Sequence, residues 1–366
     1  MRRAAGASRA AGNTSAVTQT LAAPGAYLNA IGTAVPPYDL HAGYLAYACD
    51  VLGDTPQRRT FERLVSRAQI DHRYAVVPLD FYDRKLPETA VRMRAYEERA
   101  LELAERAIDD LACDRLSETT HLIVTSCTGF YAPGIDVQLI ERFGLDPGIE
   151  RTIVGFMGCY AALSALKLAR HIVRSERRAR ILVVNLEICS LHLQRPADLT
   201  HALGLSIFGD GCAASLVTAE PAGLALEAFA STLIPASAGE ITWRIGTLGF
   251  DMHLSLEVPR KIAEALAADP ARILRGGKSA DIDVWAVHPG GRAVLDAVGD
   301  ALGLGPDTLA DSRSVLRAFG NMSSATISFV LARILADADS LRGARGCGLA
   351  FGPGMVCETL RFSVAA

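Results

Sequence analysis

The chain has 366 residues, of which 50% are hydrophobic and 21% charged. That composition supplies a sizeable core and excludes a mostly disordered chain, and the length suits about two domains. Lys plus Arg number 37 against 40 Asp plus Glu, a net charge of −3, which argues against a nucleic-acid partner.

The first residues, MRRAAGASRAAGNTSAVTQT, carry cations but no apolar stretch. Residues 1–22 therefore read as a flexible tail rather than a secretory signal, and the expected location is the cytoplasm. The longest uncharged apolar run near the middle, Thr152–Leu166, is too short to span a bilayer. Eight cysteines are present, none in a C-x-x-C pair or at zinc-finger spacing with His. No metal site is expected, and the thiols are expected to be free.

In chain order, helical periodicity runs from Val91 to Leu111 with its charges on one side. HLIVTS (121–126) reads as a strand and Ile135–Phe143 as a helix. A short strand near Thr152–Val154 leads into a helix from about Cys159 to Arg174. ILVVNLEI (181–188) is apolar enough for a strand buried on both faces. CAASLVT (212–218) and LALEAFAST (224–232) continue as strands on either side of a Pro/Gly/Ala join at 219–224. The second half repeats the alternation: helix 259–268, strand VWAVH (284–288), helix 292–302, then a turn at 319 opening into a helix to 335. GCGLAF (346–351) and MVCETLRFSV (355–364) form an expected antiparallel pair about GPG. Strands alternating with helices in both halves predict an α/β fold with buried sheets.

Three places share a pattern of buried strand or turn, small residues, one polar side chain, then a helix. In GFMGCYAAL (155–163), Gly158 permits a tight turn and sets Cys159 at a helix N-terminus, where the dipole favours thiolate. In VWAVHPGG (284–291), His288 ends an apolar strand. In FGNMSSA (319–325), Asn321 precedes an apolar helix. Singly, each has an ordinary alternative: an inert core thiol, a structural histidine, an N-cap. Together, Cys, His and Asn are partners in thiol nucleophile chemistry.

These segments, with TSCTGFYAPGID (125–136), SIFGDGCAA (206–214) and FGPG (351–354), resemble the type III polyketide synthases, the chalcone-synthase-like branch of the thiolase superfamily. The similarity extends from about Tyr27 to Phe362. It implies a thiolase-like duplicated αβαβα layered fold with buried mixed sheets, divided into residues 23–220 with the nucleophile and 221–366 with His and Asn. By motif, Cys159 resembles the acyl-carrying nucleophile, and His288 and Asn321 the pair that activates malonyl-CoA. His288 is also expected to hold Cys159 deprotonated as an ion pair. Phe208 matches one gatekeeping aromatic, whereas Met252 stands where the family has the second. Cys127, Thr128, Ala132, Cys189, His192, Trp243 and Ser323 fall at pocket positions. Thr128, Ala132 and Cys189 match small residues that line an acyl tunnel in long-chain-accepting bacterial members, and Trp243 would narrow the cyclisation side.

The resemblance implies CoA thioesters as substrates and no separate cofactor. QRRTFERLVSRAQI (57–70) resembles the family's CoA-binding segment through Arg63 and Arg67; Thr60 replaces a third cation, for which Arg58 or Arg59 would substitute. Gly290, Gly291 and Ala293 complete the expected CoA contacts. The implied activity is decarboxylative condensation of a long-chain fatty acyl starter with malonyl-CoA, closing to an alkylpyrone or alkylresorcinol. The alternatives are a malonyl-primed naphthalene-type synthase and a single-condensation ketoacyl synthase III. The family is typically homodimeric, and the loop around Ala132 resembles one that reaches the partner's pocket.

Overall fold

The computed structural model describes residues 25–82 and 86–365, so the tail expected over 1–22 lies outside the described residues. In chain order, the first half contains β1 (Tyr27–Ala34), β2 (Tyr38–Asp39), α1 (His41–Leu52), α2 (Pro56–Val65), β3 (Tyr74–Ala75) and α3 (Thr89–Asp110). It continues through β4 (His121–Ser126), α4 (Ile135–Phe143), β5 (Glu150–Gly155), α5 (Ala161–Ser175), β6 (Ile181–Ile188), α6 (Leu199–Leu205) and β7 (Asp210–Thr218). The second half contains β8 (Leu224–Leu233), β9 (Ile241–Gly246), β10 (Gly249–Leu254), α7 (Val258–Ala268), α8 (Pro270–Ile273), β11 (Val284–Val287) and α9 (Arg292–Leu302). It closes with α10 (Ala310–Phe319), α11 (Ser324–Ala336), β12 (Arg345–Gly352) and β13 (Val356–Val364).

Nine strands form one mixed sheet in the order β11-β12-β13-β8-β1-β7-β6-β4-β5. Strands β6, β4 and β5 run parallel, as crossover helices require, and β7 and β1 return antiparallel. Across the join, β11 and β12 are parallel, and β13 and β8 antiparallel. The two sets meet where β1 pairs with β8 at Tyr27–Ala225 and Leu28–Leu224, extended by the Leu226 N to Ala26 O bond at 2.8 Å.

Three apolar clusters mark the layers. Ala162, Leu166 and Ala169 of α5 and Ile327, Val330 and Ile334 of α11 share one core with Ile123 of β4, Val183 of β6, Ala286 of β11 and Ala350 of β12. The opposite faces of β4 and β6 (Leu122, Val124, Leu182, Val184) pack on α3 and α4. Trp285, Val287 and Leu349 pack on α7, α9 and α10. The order is therefore helix, sheet, paired central helices, sheet, helix. A central helix has no wet side to spare, and α11 is buried along nearly its whole length. Two facts sharpen the sequence reading. The helix expected from Cys159 begins at Ala161, after a 3₁₀ turn over Gly158–Tyr160. The buried layers belong to one continuous sheet.

Candidate active site

Cys159 stands where β5 hands over to α5. The chain reverses through left-handed conformations at Phe156 (φ 56°) and Gly158 (φ 70°). A Cβ at Gly158 would overlap the Pro353 ring, so only glycine lets the turn lie against the β12–β13 connection. A Cβ at Gly352 would fall 3.2 Å from Cys159 N and 2.7 Å from Tyr160 Cδ1. The FGPG segment is thus the back wall of the cysteine turn. Cys127 Sγ accepts a hydrogen bond from Gly158 N at 3.0 Å, and Cys159 Sγ donates to Ser323 Oγ at 3.9 Å. Burial pushes the Cys159 thiol up to about 12, with the contacts to Ser323 and Asn321 acting in the opposite direction.

His288 follows β11 and is buried; its N–H bonds Leu349 O on β12 at 2.8 Å. Neither ring nitrogen has a hydrogen-bond partner among the described residues. Burial alone drives its pKa down to about 3, so the isolated ring is neutral. Among the described residues no hydrogen bond joins Cys159 to His288; the thiol contacts Ser323.

Asn321 is fixed by its backbone. Asn321 N donates to Ile207 O at 2.8 Å and Asn321 O accepts from Gly209 N at 3.0 Å, which locks it beside Phe208. Its Oδ1 accepts from Ser323 N at 2.9 Å, turning Nδ2 outward, where it reaches Gly290 O at 3.4 Å. Ser323 takes up a left-handed conformation (φ 49°) to make that turn. Beneath the segment, Arg73 donates to Leu205 O (3.1 Å) and Phe208 O (2.8 Å), and through Nε to His41 Nδ1 (3.1 Å).

Two buried acids escaped the sequence reading. Glu187 is the one charge within the fully buried strand β6, and that was the available signal. It accepts from Cys127 N (3.0 Å), Thr128 Oγ1 (2.9 Å) and Ser324 Oγ (2.6 Å). Burial raises its pKa to about 7 against those bonds. Asp210 of the SIFGDG segment accepts from Ser190 N, Ser190 Oγ and Val76 N, and burial likewise raises it to about 7.

Cys159, His288 and Asn321 line one cavity of about 500 Å³. Of the expected pocket residues, Cys127, Thr128, Cys189, His192, Phe208, Trp243, Met252 and Ser323 line it too. Ala132 does not: it lies in the β4–α4 loop and is not among the residues that line this cavity. Trp243 Nε1 donates to Cys127 O (2.8 Å), and His192 bridges Thr128 O (2.7 Å) and Phe250 N (3.0 Å) while stacking on the Phe250 ring. Unforeseen apolar walls come from Leu193, Leu203, Gly204, Ile241, Leu254 and Ile262. On the expected CoA side, Arg67, Gly290, Gly291 and Ala293 line the cavity; Arg59 and Arg63 do not. Arg292 Nη1 bonds Arg67 O at 3.0 Å, tying α9 to the end of α2. Arg58 and Arg59, the candidates to replace the cation missing at Thr60, are engaged with Glu62 (2.9 Å) and Asp54 (3.4 Å).

Residues 14–221 match the family model for chalcone and stilbene synthases, N-terminal domain, and residues 225–365 match the corresponding C-terminal domain. An alpha-pyrone synthesis polyketide synthase-like protein of Mycobacterium tuberculosis, Pks18, is 34% identical over 330 residues, 85% of this chain and 84% of that one. Bisdemethoxycurcumin synthase of Oryza sativa subsp. japonica is 34% identical over 304 residues, covering 77% and 75%. Among solved structures, PKS-I of the brown alga Ectocarpus siliculosus superposes with a TM-score of 0.82 at 28% identity, covering 93% of this chain and 98% of that one. The fungal type III polyketide synthase ORAS gives a TM-score of 0.82 at 26% identity, covering 93% and 100%. No helix among the described residues is long and apolar enough to cross a membrane.

Proposed function

Because the chain belongs to the chalcone and stilbene synthase family of type III polyketide synthases, we propose that it extends a long-chain fatty acyl-CoA with two or three malonyl-CoA units and closes the product to an alkylpyrone or alkylresorcinol. One observation carries this reading: a thiol, an imidazole with both nitrogens free and a carboxamide N–H converge on one cavity whose other walls are largely aliphatic. The name of the mycobacterial relative supports pyrone closure.

In the proposed cycle, Cys159 thiolate attacks the acyl-CoA carbonyl and expels CoA thiolate. Malonyl-CoA then loses CO2, leaving a thioester enolate. The Nε2–H of His288 and Nδ2–H of Asn321 stabilise its oxyanion, fixed donors in a dry site. The α-carbon attacks the Cys159 thioester and releases the thiolate for the next round. Burial penalises thiolate and imidazolium separately, but in contact the same low dielectric strengthens their attraction, so His288 holds Cys159 ionised only as a close pair.

The reading includes the two halves 23–220 and 221–366, with the nucleophile in the first and both donors in the second. Arg67, which lines the cavity, and Arg59 and Arg63, which lie outside its lining, are assigned to the CoA phosphates in this reading. It also includes a cytoplasmic homodimer. Strand β5 is an open sheet edge, and Phe130, Ile153 and Phe156 beside it are 40%, 49% and 39% exposed. A second copy would cover them and bring Ala132 near the partner's cavity.

The test is mass spectrometry of products from purified protein, malonyl-CoA and C8–C20 acyl-CoA. Pyrones or resorcinols carrying the starter's alkyl chain are expected. A naphthalene-type product from malonyl-CoA alone would overturn the starter assignment, and a singly extended ketoacyl product the two or three extensions.

A further inference from the structure

Outside the cavity that holds Cys159, a second hollow of about 650 Å³ opens between α5, β8 and α8. Lys167, Arg170, His171 and Arg174 recur at i, i+3, i+4 and i+7, so α5 turns one face of cations into it. Arg272 and Arg275 reach in from α8 and the turn after it, and Glu227 is the one acid on the wall. Lys167 is spent on Glu358 at 3.3 Å. Arg170 is held in place by Leu226 O at 2.7 Å and Glu227 O at 2.5 Å, with no carboxylate on it. Arg174, Arg272 and Arg275 have no acidic partner within 4.0 Å among the described residues. Elsewhere on the surface some arginines, such as Arg115, Arg142, Arg151 and Arg260, do sit on carboxylates. After burial, the next causes lowering the Arg170 pKa are repulsion from Arg174 and Arg275. Like charges gathered in a concave site, on a protein of net charge −3, focus a local positive field that a ligand can exploit.

The charge sum limits the ligand. Arg170, Arg174, Arg272 and Arg275 against Glu227 leave 4 − 1 = +3, with Lys167 and Glu358 cancelling. Guanidinium groups match phosphate oxygens in bidentate fashion, and a pre-positioned Arg170 lowers the ordering cost. We propose that this hollow is a binding site for a small molecule bearing a di- or triphosphate group, held by Arg170, Arg174, Arg272 and Arg275 and separate from the CoA entrance.

Calorimetric titration of the full chain with inorganic tripolyphosphate tests this. One saturable site is expected, weakening as salt rises. The double variant Arg174→Glu/Arg275→Glu should bind at least tenfold more weakly. Arg272→Glu alone, at an exposed position, should weaken binding several-fold and serves if the double variant does not fold. Arg63→Glu/Arg67→Glu should bind like the parent. Malonyl-CoA turnover should be unchanged in the hollow's variants. No saturable binding, undiminished binding by the folded hollow variants, or loss of binding in the Arg63/Arg67 variant would each overturn the proposal.

Discussion

Cys159, His288 and Asn321 drew notice in the sequence because each stands at a junction with small residues ahead of a helix, and the structure lines one cavity with all three. Their ionisation could not be read there, because it depends on what surrounds them. Burial, against the contacts to Ser323 and Asn321, holds the Cys159 thiol up at about 12, and burial keeps the His288 ring neutral down to about 3. An active nucleophile therefore has to draw its acidity from the imidazole. The rate of iodoacetamide alkylation of Cys159 against pH measures this. The parent should show its inflection well below 9, and His288→Gln should move it upward by several pH units, toward the value burial dictates. The sign follows from charge: an adjacent imidazolium stabilises thiolate and lowers its pKa. An inflection that does not move would remove His288 from the proposed pair. Ser323, matched only as a pocket position, turns out to be the thiol's contact. Its role depends on a left-handed backbone that no spacing rule anticipates for serine.

Element boundaries were most legible where burial is complete. HLIVTS and ILVVNLEI are strands over the expected residues, buried at every position. The helices at 135–143 and 292–302 also match. Strand β1 was not anticipated: its burial does not alternate regularly, because its register shifts between Leu28 and Ala30. The β9–β10 hairpin mixes polar and apolar residues and gains its meaning from Trp243 and Phe250 packing around His192. Arg73 was invisible for a related reason, since its partners are backbone carbonyls 132 and 135 residues away and the His41 ring 32 residues away. It joins α6 and the Phe208 strand end to the segment before Asn321; a Cβ on Gly320 would meet its Cγ at 2.9 Å. Arg73→Met should leave Leu205 O and Phe208 O buried without that donor, at about 1–3 kcal/mol for each group. Calorimetry should register a lower Tm. Residual folded enzyme should lose kcat with little change in acyl-CoA KM, because the reacting groups shift while the entrance at Arg67 and Arg292 does not. An unchanged Tm with unchanged kcat would deny Arg73 this positioning role.

At the scale of the molecule, the open edge of β5 and the buried ionisable groups make separate demands. If the edge is covered by a second copy, Ile153→Lys should convert a dimer to a monomer by light scattering, since a charge on an exposed edge blocks strand pairing. A dimer unaffected by that change would move the interface elsewhere. The buried groups set how stability follows pH. His192, lowered to about 3, binds a proton when unfolded and not when folded, so its contribution makes stability rise with pH from about 3 to 6.5. Glu187 and Asp210, both raised to about 7, hold protons when folded and lose them when unfolded, so stability falls from about pH 4 to 7. The two effects oppose one another where they overlap. Glu187→Gln separates them. The amide stays neutral at every pH, so the variant escapes the cost of an ionised carboxylate among Cys127, Thr128 and Ser324. Relative to the parent its Tm should therefore climb between pH 5 and pH 8, whatever offset the exchanged hydrogen bonds impose at pH 5. A Tm difference that is flat over this range would mean that Glu187 is already ionised at pH 5, and that its three donors outweigh its burial.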